Sequence, residues 1–310
     1  MSRPVIEVKG LTKHYGRSVA VEGLDLVVNK GEIFGLLGPN GSGKTTTILL
    51  MLGLTEPDGG SVNVLGHNPF REPLEVKRRV GYLPDSVGFY DNMTAWENLR
   101  YTMRLAGVAG AEKRIAAALA RVRLTEVADR RVSTFSRGMR QRLGIADLLA
   151  KGSELAILDE PTSGLDPQST QELLDLIVQL AAEGMTVVLS SHLLSMVQAI
   201  CSRVALFHRG KVGLVGRVAD LASQVLGGSY IIEFEAEGCD TGKIVADIPR
   251  ITRVTAIASH VTRVDAEVDI RAEIASRVVA AGGRLKRLSM DRSSLDEVYV
   301  HYFEQVDHAA

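Results

Sequence analysis

The residues of this chain best suited to chemistry lie at Gly38-Pro39-Asn40-Gly41-Ser42-Gly43-Lys44-Thr45, which matches the pattern G-x-x-x-x-G-K-[ST]. Glycines at this spacing let backbone N–H groups turn inward around phosphate oxygens. A helix opening near Lys44 would aim its positive end at the same charge. Lys44 would reach the β- and γ-phosphates of ATP, the Thr45 hydroxyl would bind Mg²⁺, and Thr46 completes the expected phosphate-binding set. In isolation, a glycine-rich turn could match the pattern by accident. A second cluster, Leu155-Ala156-Ile157-Leu158-Asp159-Glu160, ends an apolar run in two carboxylates. A buried strand would deliver both to its C-terminal edge, where ligands bind in such sheets. Asp159 would hold Mg²⁺ through water, and Glu160 would accept a proton from an attacking water. Taken alone, the same pair reads equally well as two acids that end a strand.

These clusters need a sheet to position them. Ile33–Leu37 is a short apolar run of the kind that forms a buried parallel strand, and Lys44–Leu52 then reads as a helix. Val5–Lys9 and Ala20–Val28 read as strands joined near Gly16. Thr94–Ala106 reads as a helix, with Thr94 and Glu97 at capping-box spacing and Gly107 as its stop. Leu155–Leu158 and Thr186–Ser190 read as strands. Between them Ser169–Glu183 reads as a helix with Ser169 and Glu172 at capping-box spacing. Strands and helices in alternation predict an α/β parallel sheet over residues 1–226. The tail, 229–310, reads differently: strands at Tyr230–Glu235, Thr252–Ala258, Val261–Ala266 and Arg284–Ser289, helices at Thr241–Ile248, Val268–Ala281 and Ser294–Gln305. That order predicts a small α+β ferredoxin-like domain behind a linker at Gly227 and Gly228.

Composition narrows the class. With 310 residues, 45% of them hydrophobic, the chain is long enough for about two domains. Lys plus Arg is 36 and Asp plus Glu is 37, a formal charge of -1, so nothing electrostatic calls for nucleic acid or an anionic membrane surface. The two cysteines, Cys201 and Cys239, form no close pair, which fits a reducing cytosolic setting. Charged residues recur from Arg3 through Lys13, so no signal peptide is expected. Gly184–Ser202 is long enough and uncharged enough to span a bilayer, but its serines, His192 and Gln198 favour a buried strand followed by a helix. No direct membrane insertion is expected.

Between the two phosphate clusters stands Phe135-Ser136-Arg137-Gly138-Met139-Arg140-Gln141-Arg142, which resembles the signature sequence of ABC ATPases, usually L-S-G-G-Q followed by Q-R. Ser163-Gly164-Leu165-Asp166 resembles that family's D-loop, Ser190-Ser191-His192 its switch-histidine loop, and Lys13-His14-Tyr15-Gly16 its adenine-stacking loop. The elements follow the family's order across residues 1–226. The resemblance implies the cassette fold, with a mixed sheet core, an antiparallel β subdomain and a helical subdomain. It implies that Ser136, Arg137, Gly138 and Met139 act on the nucleotide held by a second copy or a paralogous cassette. It further implies ATP hydrolysis with Mg²⁺, coupled to a membrane-spanning permease on another chain, at the cytoplasmic face of the membrane. Tyr15 would stack on adenine, although an aromatic strand residue is as often packing. His192 would contact the γ-phosphate; a lone histidine there is more often structural.

The chain departs from the family pattern in places. Asp85 stands where the family's glutamine should follow Gly81-Tyr82-Leu83-Pro84, Arg137 replaces the first signature glycine, Phe135 the leucine and Met139 the glutamine. Asp85 would still serve a hard cation and position the attacking water, or it merely caps a turn after Pro84. Variants of the S-[KR]-G-M kind, and the closing Ser294-Leu295-Asp296-Glu297-Val298-Tyr299, resemble ATPases of ABC-2 type exporters. Gly81–Tyr90 and Phe135–Gly144 are also similar to the ATPase of the nitrous-oxide-reductase maturation transporter. The segment from Asp85 through Tyr90 and Trp96 is the expected docking surface for the permease. An ABC ATPase acting on ribosomes or DNA would resemble two cassettes in one chain, or carry coiled coils or zinc cysteines. A small-molecule kinase would not need Ser136–Arg142 or the D-loop.

Overall fold

The computed structural model describes residues 4–193, 198–217, 220–221, 224–225, 230–292, 295, 298–300 and 302–303. The chain divides into two compact units, residues 1–214 and 215–310.

In the first unit, β1 (Pro4–Tyr15) and β2 (Ser18–Asn29) form an antiparallel hairpin, and β4 (Gly59–Val64) pairs with the far side of β1. Alternate residues turn inward, as period-2 patterning requires: Leu24, Leu26 and Val28 are buried while Asp25 and Val27 are exposed. The second sheet has the order β5-β6-β7-β3-β8-β9. Its strands are β3 (Ile33–Leu37), β5 (Val80–Leu83), β6 (Leu155–Asp159), β7 (Thr186–Ser191), β8 (Arg203–His208) and β9 (Lys211–Gly216). Strands β5, β6, β7, β3 and β8 run parallel, and every residue of β3, β6 and β7 is buried, as expected for strands covered on both faces. The two-residue turn Arg209-Gly210, both with positive φ, folds β9 back antiparallel on β8, which makes the sheet mixed.

The described residues of this unit also form the helices α1 (Lys44–Met51), α2 (Pro73–Arg79), α3 (Ala95–Leu105), α4 (Ala111–Arg121), α5 (Arg137–Lys151) and α6 (Pro167–Ala182). The expected capping box on α3 is present in both halves: Glu97 N–H donates to Thr94 Oγ1 at 3.1 Å and Thr94 N–H to Glu97 Oε2 at 2.8 Å. The expected box on α6 is not. Asp166 caps that helix by accepting from Ser169 N–H at 2.9 Å, and Pro167 opens it, because proline has no N–H to leave unpaired in a first turn. Strands β4, β5, β8 and β9 and helices α2 and α4 have no counterpart in the sequence reading. The core shared by the sheets includes Phe34, Leu36, Ile48, Ile157, Val188 and Phe207. Burying a side chain such as Phe34 or Phe207 contributes about 1.5–3 kcal/mol relative to exposure.

Helix α5 reaches β5 through a close approach at Gly144. A Cβ there would fall 2.2 Å from Leu83 Cδ1, and Leu83 is itself buried. The absence of that side chain lets α5 lie against the strand that leads to Asp85.

In the second unit, β10 (Tyr230–Glu237), α7 (Thr241–Val245), β11 (Ile251–Ala258), β12 (Val261–Ala266), α8 (Arg271–Ala280) and β13 (Arg284–Arg292) follow one another. The sheet order is β11-β12-β10-β13, antiparallel at every pairing. Ile232, Phe234, Val264, Ile274 and Val278 form its core. Helix α7 is shorter than expected and is capped by Asp240, and α8 begins at Arg271 rather than Val268. Gly227, Gly228, Ser294, Asp296, Glu297 and 304–310 lie outside the described residues, and with them the linker and much of the expected last helix. No helix among the described residues is long and apolar enough to cross a membrane.

Candidate functional site

The C-terminal ends of β3, β5, β6 and β7 lead into one site. From β3 the chain turns through Gly38, whose φ of 151° and contact leave no room for a side chain: a Cβ would meet the Phe207 carbonyl oxygen at 2.3 Å. Gly38 N–H donates to Ser191 O at 3.2 Å, which ties the loop to the end of β7. The loop then enters α1 at Lys44. Lys44 is almost fully buried, its Nζ donating to Gly38 O at 2.7 Å and Pro39 O at 3.1 Å. Its Nζ also lies 3.4 Å from Glu160 Oε1, an ion pair without hydrogen-bond alignment.

Strand β6 delivers the two carboxylates. Asp159 is buried and accepts from Thr45 Oγ1 at 3.3 Å and from the Ser190 hydroxyl of β7. Glu160 turns out of the strand with φ 48°, a left-handed conformation costly for a non-glycine residue and common at functional sites. Its N–H donates to Ser190 Oγ at 2.9 Å, so one serine holds both acids. Glu160 Oε2 lies 2.8 Å from His192 Nδ1 and 3.4 Å from His192 N–H. Acid and imidazole are therefore brought together.

A cavity of about 410 Å³ opens over these groups, within the range of small-molecule sites. Asn40, Gly41, Gly43, Lys44, Thr45, Thr46, Asp85, Asp159 and Glu160 line it, together with Ser18, Val19 and Ala20, which sequence reasoning missed. Those three start β2, and the hairpin lays them against the loop: a Cβ on Gly43 would meet Ala20 O at 2.5 Å. Their types carry no signal; only their place just after Tyr15 could have pointed to them. Tyr15 itself does not line the cavity. Its ring is half exposed, with Lys13 Nζ 5.5 Å from its centroid.

The residues suit a nucleotide and a hard cation. Ser42 Oγ is buried in the loop without a hydrogen-bond partner, although Ser42 does not itself line the cavity. Thr45 and Asp159 already juxtapose a hydroxyl and a carboxylate, the oxygen donors that Mg²⁺ prefers. Burial, then the charges of Asp159 and Asp85, push the Tyr82 phenol up to about 12.

The signature residues stand elsewhere. Ser136 caps α5, its Oγ accepting from Met139 N–H at 3.2 Å, which leaves the hydroxyl hydrogen free to donate. Gly138 packs close to Ser169, at 3.2 Å from a built Cβ. In the D-loop, Ser163 N–H donates to Glu160 O at 3.0 Å and Leu165 N–H to Thr162 O at 3.2 Å. Asp166 is engaged by its own helix, where the Ser169 hydroxyl and N–H hold its carboxyl below the usual carboxylate range. Asp85 sends its carboxylate to Arg137 Nη2 at 2.8 Å.

A glycine-rich loop between a buried strand and a helix, facing two carboxylates at the end of β6, defines a phosphate-loop nucleotide-binding α/β protein. Residues 21–163 match the ABC transporter family model. The chain is 36% identical over 279 residues, 89% of its length, to the linearmycin resistance ATP-binding protein LnrL of Bacillus subtilis, covering 88% of that protein. It is 34% identical over 306 residues to the daunorubicin/doxorubicin resistance ATP-binding protein DrrA of Streptomyces peucetius, covering 95% of this chain and 91% of that one. A solved ATP-binding subunit of an ABC transporter superposes with a TM-score of 0.65 at 32% identity, covering 71% of this chain and 92% of that chain. The chain belongs to the ABC transporter family as an ATP-binding, ATP-hydrolysing subunit.

Proposed function

We propose that two copies of this chain, or one copy and a paralogous cassette, close on two ATP–Mg²⁺, each held between the phosphate loop of one and Ser136–Met139 of the other. One observation carries this reading. Among the described residues, none of Ser136, Arg137, Gly138 or Met139 lines the cavity of the chain's own phosphate loop. The capped start of α5, with its Ser136 hydroxyl, suits an anion, which on this reading is the phosphate of the second cassette's nucleotide.

Within each site, Lys44 exchanges its loop carbonyls for β- and γ-phosphate oxygens, and Ser42 supplies a further donor. Glu160 takes the proton of the attacking water, and His192 steadies Glu160 and the γ-phosphate. Asp85, at the cavity wall, positions the water. Thr45 and Asp159 would hold Mg²⁺, whose charge offsets that developing on the phosphates. Closure then drives a separate membrane-spanning permease from its cytoplasmic face, docked along Asp85–Trp96. There Asn98 pins the exposed Tyr90 through its N–H and C=O, at 2.8 and 3.1 Å. Export is the favoured direction, since relatives are named for drug resistance and Nod factor export. Residues 229–310 form an accessory ferredoxin-like domain that biases dimerisation or permease docking. The test is the molecular mass of Glu160→Gln with Mg²⁺–ATP: a dimer is expected, and a species that stays monomeric at high concentration sinks the shared-site reading.

A further inference from the structure

Two positions at which this chain departs from the usual family residues, 85 and 137, touch each other. Asp85 Oδ1 and Arg137 Nη2 are 2.8 Å apart, and the two side chains carry opposite charges. The same helix also reaches the backbone of Asp85. Gln141, one turn beyond Arg137 on α5, is buried and donates from Nε2 to Asp85 O at 3.4 Å. The close packing of α5 on β5 at Gly144 brings that helix within reach of the segment after Leu83. Helix α5 therefore holds Asp85 twice, by its carboxylate through Arg137 and by its carbonyl through Gln141.

Arg137 also reaches the D-loop turn. A Cβ on Gly164 would come 2.8 Å from Nη1 and 3.1 Å from Cζ, so the guanidinium lies against bare backbone and any side chain there would displace it. Three segments far apart in sequence meet at one planar cation.

Stability is not the reason for this arrangement. Arg137 and Asp85 side chains are 47% and 52% exposed, and ion pairs so open to water add little to folding. Charge at the cavity is a better account. Asp85, Asp159 and Glu160 bring three carboxylates to its wall, against Lys44 as the one Lys or Arg lining it among the described residues. A polyanionic nucleotide must enter that field. A glutamine at position 85 would add no charge and need no partner; an aspartate does.

We propose that Arg137 is a positioning residue that neutralises and orients Asp85 within its own chain, so that the two side chains act on ATP binding and hydrolysis as a single unit. The inference deepens the ATPase reading of the same site. It assigns Arg137 an intrachain task in addition to its place in the Ser136–Met139 set that faces the second copy's nucleotide.

The experiment measures Mg²⁺–ATP binding by the full-length isolated chain, together with kcat and KM. The variants are Arg137→Ala, Asp85→Asn, their combination, Arg137→Asp, and the charge swap Asp85→Arg with Arg137→Asp. Arg137→Ala should weaken ATP binding roughly tenfold, a coupling ordinary for residues in contact, while the thermal unfolding midpoint stays unchanged. Adding Asp85→Asn removes the uncompensated charge and should restore binding to that of Asp85→Asn alone. The swap should recover more binding than Arg137→Asp by itself. The proposal is overturned if the losses of Arg137→Ala and Asp85→Asn simply multiply, or if Arg137→Ala lowers kcat and leaves ATP binding intact. Because binding is read on the isolated chain, failure of the shared-site dimer leaves this outcome legible.

Discussion

Glu160 and His192 meet through Oε2 and Nδ1 at 2.8 Å, while the other Glu160 oxygen faces Lys44 Nζ at 3.4 Å. The carboxylate is held on both sides by groups to which we assign a second task at the phosphates. When Lys44 turns to a nucleotide, Glu160 keeps the imidazole and gains a free oxygen. Its left-handed backbone turns the residue out of the line of β6.

Glu160→Gln keeps the shape and removes the base. Loss of a general base typically lowers the rate by about 10² to 10⁴. ATP binding should persist, measured by equilibrium titration beside the steady-state rate. Hydrolysis within tenfold of the unaltered chain would remove Glu160 from that role.

Ser136→Arg should abolish hydrolysis and leave the isolated chain's ATP affinity nearly unchanged, since Ser136 does not line its own cavity. Lys44→Ala should lose ATP binding, because Lys44 is the buried cation of the loop. Mixing the two variants should restore at most one working site per dimer. Loss of ATP binding by Ser136→Arg alone would contradict the trans geometry.

Asp147, half-buried on α5, accepts from the Thr102 hydroxyl, and burial raises its carboxyl above the usual range against that bond and Lys151. The folded chain thus binds this proton more tightly than the unfolded chain does. The contribution to stability is present in full below the ordinary carboxylate value and is lost as pH rises through the raised one. Asp147→Asn lacks that slope. Its urea midpoint relative to the unaltered chain should rise between pH 4 and neutrality; a constant or falling difference counts against the burial argument.

A chain ended near Gly228 keeps every residue assigned to the nucleotide and should fold and bind ATP. Calorimetry and nucleotide titration on the shortened protein check this. A folded product that binds no ATP would refute the two-domain reading.

Much of the site was legible because its parts are local. The phosphate loop and the acids at the end of β6 are contiguous runs whose residue types state their chemistry. The misses are of another kind. Ser18, Val19 and Ala20 line the cavity only because a hairpin lays β2 over the loop, which no residue type announces. Asp85 and Arg137 are 52 positions apart, and only the packing of α5 on β5 makes them partners. On α6, Ser169 and Glu172 have the right spacing for a cap, yet Asp166 with Pro167 behind it is the stronger start and prevails. Helix α4 offered a stripe at Ile115, Ala118 and Leu119, but alanines give little contrast against the polar face.

The order β7-β3-β8 has a consequence for synthesis. Strand β3 is made early, but Ile33 pairs with Val187 and Phe34 with Arg203, so both its edges stay bare until those strands leave the ribosome. The nascent chain carries its phosphate loop long before it owns the walls that shape it. ATP capture therefore reports that translation has passed β8. Chains stalled before Arg203 should not retain labelled ATP and those stalled well beyond Gly216 should; retention by a chain ending before Thr186 would show that the loop shapes itself.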